Sequence, residues 1–216
     1  MKFSTLLFDL DGTLTDPALG ITNSVMYALK KFGIDETDRQ KLYKFIGPPL
    51  VDSFEKYYGF SKEQSVKAVE YYREYFAPKG IFENSVIDGT INCLKTLKNS
   101  GVKMVLATSK PIIFANKILD HFDLAKYFDI TVGSNLDGTL GTKGEVVAKA
   151  LELSGVTDLK TAAMIGDRKH DVLGAKENGI TPIGVTFGYG SVKELTDAGA
   201  EYIINSMDEL TKFLLK

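Results

Sequence analysis

The apolar positions follow two different rhythms along the chain. At the start, Ser4-Thr5-Leu6-Leu7-Phe8 is a short apolar run that stops at Asp9-Leu10-Asp11-Gly12-Thr13, as a buried strand ending in a turn would. A helical rhythm follows. Asp16-Pro17 supplies an N-cap and a first-turn proline, and Leu19, Val25, Met26, Leu29 and Phe32 share a face before Gly33 closes the helix. Further helices are predicted over Asp38–Phe45, over Pro49–Tyr58 after the Gly47-Pro48-Pro49 break, and from the capping box Ser61-Lys62-Glu63-Gln64 to about Phe76.

From Asp88 the pattern becomes a strict alternation. Apolar strands are predicted at Val102–Ala107, Ile130–Val132, Ala162–Ile165, Ile180–Val185 and Tyr202–Ile204. Between and after them lie helices at Thr90–Asn99, Pro111–Phe122, Lys143–Leu153, Asp171–Asn178, Val192–Ala198 and Asp208–Leu214. Nearly continuous apolar strands separated by helices imply parallel βαβ units with both faces of the sheet covered. The expected fold is therefore α/β, a doubly wound parallel sheet built from residues 1–14 and 81–216, with an all-helical insertion over residues 15–80.

Composition narrows the function without naming it. The 216 residues are 44% hydrophobic and 25% charged, and 26 Lys+Arg against 28 Asp+Glu leave a net charge of −2. No block of like charge offers a footprint for nucleic acid or an anionic membrane. Asp9 interrupts the N-terminal apolar run, and nothing approaches the roughly 18 apolar residues of a membrane span, so the expectation is a cytoplasmic protein, monomeric or homodimeric. Cys93 has no partner for a disulfide or a metal site and reads as core filler.

In open α/β sheets ligands lie beyond the carboxyl ends of the strands. The polar residues just past those ends are Asp9 and Asp11, then Thr108-Ser109-Lys110, then Lys143 after a glycine-containing loop, then Gly166-Asp167-Arg168-Lys169-His170-Asp171. Carboxylate oxygens from Asp9, Asp11 and Asp167 suit Mg²⁺, a hard cation that keeps waters and accepts a substrate phosphate. A carboxylate can attack phosphorus if metal and lysine charge screen the incoming dianion, so Asp9 fits a nucleophile and Lys143 the screening cation. Asp11, two residues on and on the same side of an extended segment, fits the acid that protonates the leaving oxygen and the base that then activates water.

Bland readings exist for single members of this set. Thr142-Lys143-Gly144-Glu145 also scans as a capping box that would leave Lys143 at a solvated helix start. Arg168 suits either a structural ion pair or the rim of a site, and Lys110 either a substrate contact or a solvated position before Pro111. His170 and His121 read as helix-terminal residues. The repeat of Leu10-Asp11-Gly12-Thr13 at Leu136-Asp137-Gly138-Thr139 reads as a turn.

Together these residues resemble the haloacid dehalogenase superfamily of phosphohydrolases. Asp9-Leu10-Asp11-Gly12-Thr13 is similar to its first motif, Thr108 to the second, Lys143 to the third, and Gly166-Asp167 with Asp171 to the acidic fourth. The helical insertion resembles the small cap of the phosphoglycolate phosphatase-like subfamily. So do Ile46-Gly47-Pro48-Pro49-Leu50, Gly166-Asp167-Arg168 and Phe187-Gly188-Tyr189-Gly190. The resemblance implies Asp9 as nucleophile and metal ligand. It makes Asp11 the acid/base, with a backbone carbonyl on the metal, and gives Asp167 and Asp171 to Mg²⁺. Thr108 and Ser109 would bind the phosphoryl oxygens, and Lys143 would bridge Asp9 and phosphate. The expected activity is Mg²⁺-dependent hydrolysis of a small phosphorylated metabolite, phosphoglycolate or a nucleoside 5′-monophosphate, through an aspartyl-phosphate. A phosphomutase of the β-phosphoglucomutase type and a receiver-like signalling module are the alternatives. Within the insertion, Asn23, Ser24 and Lys44 are candidates for reading the leaving group.

Overall fold

The computed structural model describes residues 2–216. The chain runs β1 (Thr5–Phe8), β2 (Thr15–Asp16), α1 (Ala18–Lys31), α2 (Leu50–Tyr58), α3 (Lys62–Phe76), β3 (Ser85–Val86) and α4 (Thr90–Asn99). It continues β4 (Lys103–Pro111), α5 (Ile112–His121), β5 (Ile130–Ser134), α6 (Lys143–Ser154), β6 (Ala162–Gly166) and α7 (Lys169–Glu177). It ends β7 (Thr181–Val185), α8 (Val192–Ala198), β8 (Tyr202–Ile204) and α9 (Met207–Leu214).

Six strands form one sheet in the order β5-β4-β1-β6-β7-β8, every neighbouring pair parallel. Ranked by sequence, that is the doubly wound order 3-2-1-4-5-6, whose topological switch point lies between the first and fourth members. Here those members are β1 and β6. Leu7, Val105, Ala107, Val132 and Met164 from the strands pack against Val146, Val147, Ala150 and Ala175 from α6 and α7, all buried. Burial on this scale, at ~25 cal/mol per Å² of apolar surface, holds the strand ends rigid.

The chain separates into two compact units, residues up to 15 with 86–216, and residues 16–85. The two crossing segments pair as the short sheet β2-β3. Residues 81–85, expected with the sheet, pack with the helices: Ile81 is buried, and the Gly20 N–H donates to the Glu83 carbonyl at 2.9 Å. Asp38–Phe45, expected as an ordinary helix, is a 3₁₀ helix over Arg39–Phe45, with Asp38 accepting from the Gln40 N–H. Among the described residues, no helix is long and apolar enough to cross a membrane.

One departure shapes the site. β4 was expected to stop at Ala107 and α5 to begin at Pro111, but the strand runs to Pro111, with its register against β5 shifted between Thr108 and Pro111. Such a bulge re-aims the side chains that follow it. It fits because Gly133 faces it: a Cβ there would lie 2.6 Å from the Lys110 carbonyl oxygen.

Candidate active site

The loops after β1 and β6 meet at the switch point. Asp9 leaves β1 with its N–H donating to the Ile165 carbonyl at 2.9 Å, which fixes the carboxylate beside the end of β6. Asp167 follows Gly166 there. Its Oδ2 accepts the Tyr189 N–H at 2.7 Å and its Oδ1 accepts the Thr13 hydroxyl at 3.3 Å. The turn carrying Thr13 needs Gly12, which has φ +80° and passes so close that a Cβ would sit 2.3 Å from Asp167 Oδ2. Asp171 was expected to open a helix; α7 instead begins at Lys169, and Asp171 turns its Oδ2 back onto the Arg168 N–H at 3.0 Å. Carboxylate oxygens of Asp9, Asp167 and Asp171 all lie within 4.8 Å of one another, and all three residues are buried.

Lys143 answers this charge. The Thr142 and Glu145 capping box does form, yet the Lys143 side chain is only 4% exposed. Its Nζ lies 2.8 Å from Asp9 Oδ1 and 2.8 Å from Asp171 Oδ1, and donates to the Ala107 carbonyl at 3.0 Å. Burial alone would lower the lysine's pKa, but Asp171 and Asp9 outweigh it and hold the ammonium protonated. For Asp167, burial and then the charges of Asp171 and Asp9 push the carboxyl well above its ordinary range. Burial also raises Asp171, to about 6 against the opposing pull of Lys143.

Three buried carboxylates thus face one ammonium, and the excess negative charge calls for a cation. Asp9 Oδ1 and Asp171 Oδ1 lie buried with no well-aligned hydrogen bond, despite the nearby Lys143. The donor set is oxygen only, one carboxylate oxygen from each of the three residues converges within 4.8 Å, and the charge balance fits a divalent hard ion such as Mg²⁺.

The same electrostatics predict how the metal-free protein responds to pH. Asp171 binds its proton more tightly folded than unfolded, so the stabilisation is complete below about pH 4 and lost as pH rises through about 6. In chelator, the wild-type melting temperature is expected to fall between about pH 4 and 6 more steeply than that of Asp171→Asn. Parallel curves would show that the Asp171 charge carries no such penalty.

Thr108 is buried at the end of β4 and its Oγ1 accepts the Lys110 N–H at 3.3 Å, which leaves the hydroxyl proton free to donate elsewhere. Ser109 is half-buried in the bulge, where its carbonyl accepts from Ser134 at 2.8 Å. Asp11 is buried and turns its Oδ2 to Lys110 Nζ in an ion pair, so its carboxylate is not part of the cluster formed by Asp9, Asp167 and Asp171. Arg168 is an ion-pair residue, its Nε donating to Glu194 at 2.9 Å.

Sequence reasoning left Lys110 undecided and did not foresee Tyr189 N–H or Glu194, because each acts through a partner distant in sequence. In the helical unit, Asn23 donates to Glu83 at 2.7 Å and accepts from Arg39 at 2.9 Å, and Ser24 donates to the Gly20 carbonyl at 2.6 Å. Both therefore spend their polar groups inside that unit. Lys44 lies 4.2 Å from the ring centre of Tyr57.

Comparison with known proteins covers both units. The family model for haloacid dehalogenase-like hydrolases matches residues 6–185. A 5'-nucleotidase of Pseudomonas aeruginosa is 46% identical over 195 residues, 90% of this chain and 88% of that protein. The tyrosine-protein kinase PtkA of Mycobacterium tuberculosis is 34% identical over 97% of this chain and 72% of its own length. Among solved structures, a predicted phosphatase from Clostridium acetobutylicum superposes with a TM-score of 0.96 at 52% identity, covering 100% of this chain and 99% of the other. Buried acidic residues at the switch point of a doubly wound sheet, and relatives spanning nearly the full length, lead to one conclusion: the chain belongs to the haloacid dehalogenase-like hydrolases, as one of their phosphatases.

Proposed function

We propose that the protein is a Mg²⁺-dependent phosphomonoesterase working through a phosphoryl group carried on Asp9. The observation that carries this reading is Asp9 itself, buried between Lys143 at 2.8 Å and the carboxylates of Asp167 and Asp171. A carboxylate needs no separate base to attack phosphorus, and the ammonium beside it supplies positive charge for the incoming phosphate.

Asp9, Asp167 and Asp171, with the backbone carbonyl of Asp11, would hold the metal. When bound, Mg²⁺ supplies positive charge against which a phosphate dianion can approach Asp9. The Asp9 carboxylate oxygen forms the new bond to phosphorus while the bond to the leaving oxygen breaks. Thr108, with Ser109, donates to the phosphoryl oxygens, and Lys143 bridges Asp9 and the incoming phosphate. Asp11 gives its proton to the leaving oxygen, then takes one from the water that cleaves the acyl phosphate. Burial raises the Asp11 pKa, with Lys110 opposing, which favours holding that proton until it is needed.

The substrate is a small phosphorylated metabolite, and a nucleoside 5′-monophosphate is the first candidate because the 46%-identical relative bears the name 5'-nucleotidase. Relatives named phosphoglycolate phosphatase and pyrophosphatase match at 28% and 31%. The test is phosphate release from nucleoside monophosphates, phosphoglycolate, sugar phosphates and pyrophosphate, with Mg²⁺, then with excess chelator, then with Mg²⁺ restored. Multiple turnovers that vanish in chelator and return with Mg²⁺ are expected. Undiminished turnover in chelator would contradict the metal assignment, and turnover only with a bisphosphate activator would indicate a mutase.

A further inference from the structure

Lys110 is built into the site more firmly than a residue beside a proline at a strand end would be. Its side chain is 6% exposed and that of Asp11, with which it pairs, 11%. The ammonium donates to Asp11 Oδ2, whereas Asp11 Oδ1 is buried without a hydrogen-bond partner. The backbone N–H of the same lysine donates to Thr108 Oγ1. The bulge that Gly133 permits is what brings one residue against both groups.

We infer that Lys110 is a positioning residue that fixes the Asp11 carboxyl by its Oδ2, so that Oδ1 is the atom that carries the proton. This rests on the acid/base role proposed for Asp11. An unanchored carboxyl rotates between two equivalent oxygens and several rotamers, whereas one oxygen held by an ammonium leaves the other in a single place. In the first step the bond from an Asp9 oxygen to phosphorus forms as the ester P–O bond breaks. The departing oxygen takes the proton from Asp11 Oδ1, leaving that carboxylate beside the Lys110 ammonium. In the second step a water oxygen bonds to phosphorus, its proton returns to Oδ1, and the bond from phosphorus to Asp9 breaks.

Proton donation matters for a poor leaving group and hardly at all for a good one, so leaving-group dependence separates this role from others. kcat/KM reports events up to departure of the leaving group and is blind to the common hydrolysis step. For Lys110→Met, kcat/KM on an alkyl phosphomonoester, such as a nucleoside 5′-monophosphate, is expected to fall about 100-fold more than on p-nitrophenyl phosphate, the scale of general-acid assistance. In an Asp11→Asn background, adding Lys110→Met should leave kcat/KM for p-nitrophenyl phosphate unchanged. Lys110→Gln makes the same two comparisons if the methionine variant fails to fold.

Equal losses on both substrates, or losses that add to that of Asp11→Asn, would overturn the inference and place Lys110 on the phosphoryl group or in the scaffold. If the wild type releases no phosphate from any substrate, the phosphatase reading itself fails. Uniform losses in an active enzyme defeat only the role given to Lys110.

Discussion

Asp9→Asn is expected to lower turnover by about 10⁴-fold or more, the scale on which loss of a nucleophile falls in covalent enzymes, while leaving the fold at least as stable. The amide cannot open an acyl-phosphate route, and positioning by Thr108 and Lys143 does not replace the missing bond to phosphorus. The stability side follows from the charge count. Asp9 is one of three buried carboxylates around Lys143, and removing one charge relieves repulsion on Asp167 and Asp171. Kinetics on a folded variant, with urea unfolding in chelator, reads both effects. Near-wild-type activity would remove Asp9 from the mechanism, and marked destabilisation would mean that Lys143 depends on Asp9 more than the carboxylates repel one another.

Lys143→Met should be costly in both respects. The methionine stem fills similar space, but Asp9 and Asp171 lose the buried ammonium that lies 2.8 Å from each. Removing one partner of a buried pair typically costs ~3–5 kcal/mol, because the other charge stays unpaired. The loss should appear in urea unfolding of the metal-free protein at neutral pH and shrink as pH falls towards about 6, because without the opposing pull of Lys143 the Asp171 carboxyl takes up its proton at a higher pH than in wild type. Mg²⁺ should restore part of the stability and little of the activity, since the screening charge next to Asp9 is gone. A variant as stable as wild type in chelator would show that solvent already screens this cluster, against the 4% exposure of the Lys143 side chain.

What could be read from the chain alone was what local pattern encodes. Parallel strands buried on both faces leave long apolar runs, and Asp9 and Asp167 are conspicuous because each breaks such a run where the sheet ends. Lys143 was ambiguous for a physical reason. The capping box that frames it is a local signal, whereas its side-chain direction is set by Ala107 on β4 and Asp171 on α7, far along the sequence. The bulge after Thr108 had no local mark either, since its permission comes from Gly133 on the neighbouring strand. Asn23 was visible as a polar residue on a helix, but Arg39 and Glu83, which consume both ends of its amide, could not be paired with it by periodicity.

In the proposed mechanism the phosphoryl group rests on Asp9 between the two halves of the reaction. Asp11→Asn should slow the second half most, because the water loses its base, while p-nitrophenyl phosphate still completes the first half without an acid. Acid quenching of this variant during turnover in Mg²⁺, followed by peptide mass analysis, should find one phosphoryl group on the peptide spanning Phe3–Thr15, located at Asp9. A protein that turns over yet carries no covalent phosphate, or carries it on another residue, would contradict the account.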